Sequence, residues 1–364
     1  MHLYVHIPFC HHICPYCGFY KHRPGKLANA EFVDAVLAEA DRRAPDAEGP
    51  LATIYFGGGT PSLLSPTHLA RLCEGLAERF DLEELREWTI EANPATFDLA
   101  KAERMRSLGI DRVSLGVQSF QDEILATLGR DHSPRDAEDA FRTLRRAGFE
   151  NVSMDLMFSI PGQTREHWRE DLDRLVALKP DHVSAYNLTY EEDTEFLERH
   201  RSGELDTDED RDADLFHDAI DRLEAAGFAH YEISNYARPG FESRHNRAYW
   251  SGAPYLGLGP GAVSTLPGEP AMRSTTLPDT AAYVRASLAG LDTRTEIEEL
   301  SEDDLRLERV ALLLRTREGI PKGWIAATAA DPLLERGFLL ETNTHYRLSR
   351  EGKALADPIA AALV

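Results

Sequence analysis

The sequence predicts an α/β protein: a partial (β/α)6-type TIM barrel followed by a small C-terminal winged-helix-like domain. Three observations carry this reading. Short apolar, β-branched runs alternate with amphipathic helical stretches from the N-terminus to about residue 240, the pattern of repeated βα units around a parallel sheet. Polar residues recur at the ends of those apolar runs, where the rim of a barrel places ligand contacts. Beyond residue 290 the pattern changes to two helices and a hairpin.

The strands are expected at Leu3 to Pro8, Thr53 to Phe56, Trp88 to Glu91, Arg112 to Val117, Val152 to Phe158 and His182 to Leu188, with Tyr231 to Ser234 as a seventh candidate. Between them, Leu69, Leu72, Cys73, Leu76 and Phe80 recur at helical spacing, as do Phe141, Leu144 and Arg145 before Gly148, and Leu172, Leu175 and Leu178 before Pro180. Gly and Pro thicken between Pro239 and Pro278, which reads as irregular structure closing the barrel. Asp304 to Arg317 and Ile325 to Arg336 read as helices, and Phe338 to Leu348 as a hairpin before a short last helix. The expected organisation is a barrel over residues 1–240, a connecting segment over 241–290 and a helical, winged-helix-like domain over 291–364.

A hydrophobic fraction of 42% and a charged fraction of 28% are those of a soluble globular protein. No apolar run approaches a membrane span, and the N-terminal segment lacks the pattern of a secretion signal, so a cytoplasmic location is expected. With 40 Lys plus Arg against 62 Asp plus Glu, the net charge of -22 repels phosphate backbones. No nucleic acid partner is expected. The acidic residues are scattered through helices and identify no substrate.

Three of the four cysteines, Cys10, Cys14 and Cys17, fall within eight residues, directly after the first strand. Thiolates are the soft ligands of iron-sulfur clusters. No fourth cysteine follows nearby, so a cluster held here has three protein ligands and one open iron, which a substrate can bind directly. Zinc is the competing reading, with His11 or His12 as its fourth ligand. Gly57 to Pro61 ends the second strand as a Gly-rich turn, where missing side chains let backbone approach a ligand. The next strand ends carry Glu91, Gln118 and Asp155, polar groups that are costly in apolar strands unless paired. Arg130 follows in Leu-Gly-Arg-Asp-His. Each of these, taken alone, also fits a structural hydrogen bond or a surface charge.

This cysteine spacing after a first barrel strand resembles the radical S-adenosylmethionine superfamily. The resemblance implies the radical SAM fold and a 4Fe-4S cluster on Cys10, Cys14 and Cys17. It further implies that the open iron is chelated by S-adenosylmethionine, which reduction cleaves to methionine and a 5'-deoxyadenosyl radical. Tyr4-Val-His-Ile-Pro-Phe-Cys10, Phe56-Gly-Gly-Gly-Thr-Pro-Ser62, Glu91-Ala-Asn-Pro94, Gly116-Val-Gln-Ser-Phe120 and Ile160-Pro-Gly-Gln-Thr164 are similar to the coproporphyrinogen III oxidase-like branch, which holds oxygen-independent oxidases and the heme chaperone family HemW. Carried over by these matches, Tyr4, Tyr16, Gly58, Gly59, Thr60, Glu91, Gln118, Arg130 and Asp155 are implied as contacts of S-adenosylmethionine.

Two features set the chaperones apart from the oxidases. The oxidase pattern continues after the third cysteine with Gly and a further Cys, whereas this chain has Gly18 and Phe19. Arg244 to Trp250 resembles the HNxxYW signature associated with heme in the chaperones, which implies His245 as a heme ligand; a plain hydrogen-bonding role for His245 at the domain junction is the alternative. Gly18, Tyr20, Ser159 and Val263 stand where the chaperones usually have Asp, Asn, Gly and His. Cys73 lies on the apolar face of a helix and reads as a buried thiol.

The resemblance thus implies a heme chaperone with a 4Fe-4S cluster, S-adenosylmethionine and heme. Heme is its cargo and hemoproteins such as respiratory enzymes are its recipients, a role compatible with peripheral membrane association. A radical enzyme acting on a porphyrin, by oxidative decarboxylation or methyl transfer, is the second reading. A non-catalytic redox or interaction protein is the third.

Overall fold

Along the first strands, side chains of opposite character alternate, and this alternation builds the barrel. The structure, a computed structural model, describes residues 1–25 and 29–363. Strands β1 (His2–Ile7), β2 (Thr53–Gly58), β3 (Glu87–Ala92), β4 (Arg112–Gln118), β5 (Asn151–Phe158) and β6 (His182–Asn187) pair in parallel and in sequence order. Leu3, Val5, Ile7, Ile54, Phe56, Ile90, Val113 and Leu115 are fully buried in one core. That core is closed from outside by helices including Asn29–Arg43, Pro66–Ala77, Pro134–Arg146 and Arg165–Leu178. The intervening positions, among them Tyr4, His6, Tyr55, Glu91, Ser114 and Asp155, take the opposite face, because successive side chains on a strand alternate. The barrel interior is therefore polar.

The six principal strands lie where the sequence places them, and so do the three helices. The seventh candidate does not form one strand. β7 (Ala229–Glu232) and β8 (Asn235–Ala237) make an antiparallel hairpin beside β6. The chain reverses there because the Glu232 carboxylate accepts from Ser234 N at 3.1 Å and from Asn235 Nδ2, which closes a tight turn inside the expected strand.

The Gly- and Pro-rich stretch is more regular than expected. It carries the helix Arg244–Trp250 and the strands β9 (Tyr255–Leu258), β10 (Val263–Leu266) and β11 (Ala271–Thr276), followed by β12 (Arg294–Leu300). β9 pairs in parallel with β1, so the sheet runs β12-β11-β10-β9-β1-β2-β3-β4-β5-β6-β8-β7. Two glycines read as breakers are close-approach positions instead. A Cβ on Gly259 would sit 2.4 Å from the His6 carbonyl oxygen, and one on Gly257 2.2 Å from that of Val263. Among the described residues β7 and β12 do not pair, and the barrel stays open there.

Beyond β12 the helices Glu302–Leu314 and Ala327–Glu335 pack on the small sheet of β13 (Ile320–Pro321), β14 (Leu339–Glu341) and β15 (His345–Leu348), followed by the helices Arg350–Lys353 and Ala356–Leu363. Val310, Leu314, Ile320, Leu339, Tyr346, Leu348 and Ile359 form a separate core, which gives the winged-helix-like arrangement expected. The module meets the barrel through Arg317 N donating to Tyr231 O at 3.0 Å and Lys353 Nζ beside His230 Nδ1 at 3.0 Å.

The departures at Ser159 and Gly18 have a physical reading. Ser159, after β5, has φ +63° and a buried Oγ without a partner among the described residues. This is the left-handed region that favours glycine. A Cβ on Gly18 would lie 2.8 Å from Glu191 Cβ, so the aspartate usual in the chaperones would push back the loop that follows β6. Replacing Ser159 by glycine relieves the left-handed backbone and removes an unpaired hydroxyl. Ser159→Gly is expected to raise unfolding free energy by about 1 kcal/mol in chemical denaturation, net of the extra entropy glycine gives the unfolded chain. A destabilised variant would contradict this account of the position.

Candidate functional site

The cysteine loop is fixed to the barrel rim by backbone before any cofactor is considered. Cys10 N donates to His22 O at 3.0 Å and His22 N to Pro8 O at 2.9 Å, so the loop returns to where it left β1. Gly59 N donates to Ile7 O at 2.9 Å and Thr60 N to Phe9 O at 2.8 Å, which sets the Gly-rich turn against the loop. That approach needs glycine: a Cβ on Gly59 would lie 2.7 Å from the Pro8 carbonyl carbon. Cys10, Cys14 and Cys17 are all half-buried free thiols on one wall of a cavity of about 750 Å³. Desolvation holds the Cys10 and Cys17 thiols above their ordinary value. Thr60 Oγ1 lies 3.5 Å from Cys10 Sγ, and the Arg130 guanidinium 3.7 Å from Cys14 Sγ.

Tyr16, Gly58, Gly59, Thr60, Glu91, Gln118, Arg130 and Asp155 line the same cavity. Residues from four strands, β2 to β5, and from the loops after β1, β2 and β4 are thereby brought together. Tyr4 is the exception. It lies deeper in the barrel, outside the cavity lining, with its hydroxyl 3.1 Å from His6 Nδ1 and its ring stacked on Tyr55 at 6.1 Å. Gln118 has φ +67° at a register shift between β4 and β5, a kink that re-aims its side chain at the rim. Ser114 donates to Asp155 Oδ2 at 2.8 Å and Ser153 to Oδ1 at 2.9 Å. Burial nevertheless raises the Asp155 carboxyl above its ordinary range.

Several lining residues escaped the sequence reading: Tyr55, Ser114, Lys21, Tyr186 and the acidic run Glu191, Glu192 and Asp193. The signal for Tyr55 was present, since it shares the inward face of β2 with Gly57. The acidic run lies on a loop, where periodicity says nothing about direction.

The cavity fits a cluster with a bound small molecule. Three thiols face it, glycine leaves the turn at Gly58 (φ +107°) and Gly59 bare, and the buried Arg130 Nε has no protein partner among the described residues. The compact ligand set of a single ion, as zinc requires, is not formed by His, Cys, Asp or Glu among the described residues.

His245 lies elsewhere. Thr53, His2 and Glu87, at the start of the first three strands, surround it, so it sits at the base of the barrel, opposite the cysteines. Its Nδ1 is 2.7 Å from Thr53 Oγ1, the residue is 8% exposed, and desolvation lowers its pKa to about 3, so it is neutral. The Glu87 carboxylate accepts from Arg244 N at 2.9 Å and His245 N at 3.1 Å and holds the start of the helix. Tyr249 on the same helix is 48% exposed.

Three thiols on the rim of an open α/β barrel are the arrangement of a radical S-adenosylmethionine protein, and the superfamily model matches residues 4–175. The chain is 39% identical to the heme chaperone HemW of Lactococcus lactis over 87% of its own length and 82% of the relative's. It is 36% identical to the HemW of Mycobacterium tuberculosis over 100% and 94%. Coproporphyrinogen III oxidase (HemN) from Escherichia coli shares the fold, with a TM-score of 0.85 at 23% identity over 99% of this chain and 89% of that one. The chain belongs to the HemW family of the radical S-adenosylmethionine superfamily, a family whose fold class implies a 4Fe-4S cluster and S-adenosylmethionine. No helix among the described residues is long and apolar enough to cross a membrane.

Glu91 gives the ligand-free site a pH dependence. Desolvation, with Asp155 adding repulsion, raises its pKa from 4.5 to about 7, against the opposing hydrogen bonds from Tyr55 and Gly58 N. A carboxyl whose folded pKa lies above its unfolded one stabilises fully below the unfolded value and loses that contribution as pH rises through the folded one. Ligand-free protein should therefore lose on the order of 2 kcal/mol at this residue between pH 4.5 and pH 7.5, allowing for its partial exposure to the cavity. Denaturation of Glu91→Gln across the same window should show that loss removed; an unchanged pH profile would contradict the assignment.

Proposed function

We propose that this protein is a heme chaperone that holds a 4Fe-4S cluster on Cys10, Cys14 and Cys17, binds heme as its cargo and passes it to hemoproteins such as respiratory enzymes. The single observation that carries the reading is similarity along essentially the full chain to relatives named heme chaperones. When bound, the cluster supplies one-electron chemistry and S-adenosylmethionine a ligand for its open iron. The protein's own part at that end is positional. Gly58, Gly59 and Thr60 present backbone, Arg130 places a positive charge beside Cys14, and Glu91 and Asp155 offer carboxylates to a cationic ligand.

At the other end, His245 is suited to iron by the Thr53 hydroxyl beside its Nδ1. An imidazole whose Nδ1 is held by a neighbouring oxygen is oriented to offer Nε2 to a metal, and a neutral ring needs no proton removed. Tyr249 and Trp250 on the same helix supply aromatic surface for a porphyrin face.

The fold shared with an oxidase favours a second reading, radical chemistry on a porphyrin. Two features weigh against the oxidase reaction. Phe19 stands at the position of the oxidases' fourth cysteine and is 70% exposed. The cavity lining sets Glu91, Asp131, Asp155, Glu191, Glu192 and Asp193 against the two cations Lys21 and Arg130, so a substrate bearing several carboxylates is repelled.

Anaerobic reconstitution with iron and sulfide should give iron-sulfur absorption that is lost in Cys10→Ala, Cys14→Ala and Cys17→Ala. Heme titration should then show binding weakened roughly tenfold or more in His245→Ala, the scale of losing one metal ligand contact. No protoporphyrinogen should form from coproporphyrinogen III with reductant and S-adenosylmethionine. Efficient conversion would replace the chaperone reading by the oxidase one.

A further inference from the structure

Tyr55 touches both ends of the barrel. Its hydroxyl donates to Glu91 Oε1 at 2.7 Å, on the floor of the cysteine cavity, and the second carboxylate oxygen accepts from Gly58 N at 3.2 Å in the Gly-rich turn. Its ring lies 5.0 Å from the His245 ring at an interplanar angle of 30°. Thr53, two residues earlier on the same inward face of β2, holds His245 Nδ1 at 2.7 Å. One strand thus carries a continuous packed connection from the cavity to the first turn of the Arg244–Trp250 helix. That turn is fastened from the other side by Glu87.

The burial of His245 gives the connection a consequence. The residue as a whole is 8% exposed, which leaves too little surface for a flat porphyrin to lie across the ring, so iron is taken to reach Nε2 only when the first turn of the helix moves. Tyr55 is packed against the ring that has to move. Close-packed interiors transmit such a shift instead of absorbing it. A displaced Tyr55 ring carries its hydroxyl away from Glu91, and a ligand that fixes Glu91 holds Tyr55, and with it His245, in the buried arrangement.

We infer that Tyr55 is a positioning residue that couples the two sites negatively: occupation of the cysteine cavity by S-adenosylmethionine favours release of heme from the Arg244–Trp250 helix, and heme weakens S-adenosylmethionine in return. The inference rests on the function proposed above. Because such coupling is a free energy between two binding equilibria, each ligand weakens the other by the same factor.

The test uses the full chain with its cluster reconstituted anaerobically and left unreduced, with hemin and S-adenosylmethionine as probes. Heme affinity is read from the Soret band with and without saturating S-adenosylmethionine, and S-adenosylmethionine affinity by equilibrium dialysis with and without hemin. The wild-type chain is expected to show a mutual weakening of about fivefold, the lower end of typical coupling. Tyr55→Phe, which keeps the ring and loses the hydroxyl, should bring that factor to within about twofold of no effect. Thr53→Val, which cuts the contact at the base, should lower the factor as well and does not depend on the cavity end. A purely structural role would change the separate affinities and leave the factor intact. An undiminished factor in both variants, or wild-type protein that binds both ligands without mutual weakening, would overturn the coupling alone. Failure of the wild-type protein to bind heme or S-adenosylmethionine at all would overturn the proposed function with it.

Discussion

The site depends on the close approach of two backbone segments, the cysteine loop after β1 and the glycine turn after β2. Two hydrogen bonds, from Gly59 N to Ile7 O and from Thr60 N to Phe9 O, extend the β1 to β2 ladder past the ends of both strands. Side chains are excluded there, because any Cβ on Gly59 collides with Pro8 and Phe9. Main-chain bonds thus fix where the loop leaves and rejoins the barrel, and side chains add to them: Lys21 Nζ donates to Cys17 O, and His6 Nε2 lies 2.7 Å from Tyr20 O. Every other part of the site is measured from this junction: Glu91 by its bond to Gly58 N, Cys10 by Thr60, and Cys14 by Arg130.

The barrel wall that supports this junction is polar on its inner face, which small proteins seldom tolerate. Asp155 is shared by serines from β4 and β5, His182 bridges Ser153 and Tyr231 at 2.8 and 2.7 Å, and the fully buried Arg112 lies among Glu87, Tyr55, Tyr231 and Asp155. Burying these groups unpaired would cost several kcal/mol each. Mutual pairing sustains the burial of Asp155, Ser153, His182 and Tyr231 and also makes the interior specific, while Arg112 Nε has no partner among the described residues. Moving one strand by a single residue would turn this face outward and the apolar face of Leu3, Val5 and Ile7 inward.

The parts of the fold set by alternation and helical spacing were legible in the sequence, and so were the motif residues at strand ends. Cys10, Cys14, Cys17, Gly58, Glu91, Gln118 and Asp155 each sit at a fixed offset from a strand, so their convergence follows from topology. Other parts depend on contacts between distant segments. β9 to β11 were hidden because glycines that permit backbone contact look the same, in sequence, as glycines that break structure. Tyr4 and Tyr55 both point inward from paired positions on β1 and β2, yet only Tyr55 lines the cavity, a difference that the strand pattern does not carry. His245 was recognisable by motif, while its place beside Thr53 and Glu87 depends on how a helix near residue 250 docks under strands that begin at residues 2, 53 and 87.

The seam between β7 and β12, unpaired among the described residues, bears on the barrel's stiffness. In a closed barrel the strand number and stagger fix the girth, and no strand tilts without all of the others following. An open one has a free circumference, and its two rims can change width by small rotations of the strands about their hydrogen bonds. The gap in the sheet among the described residues leaves the twelve-stranded wall free to change its curvature.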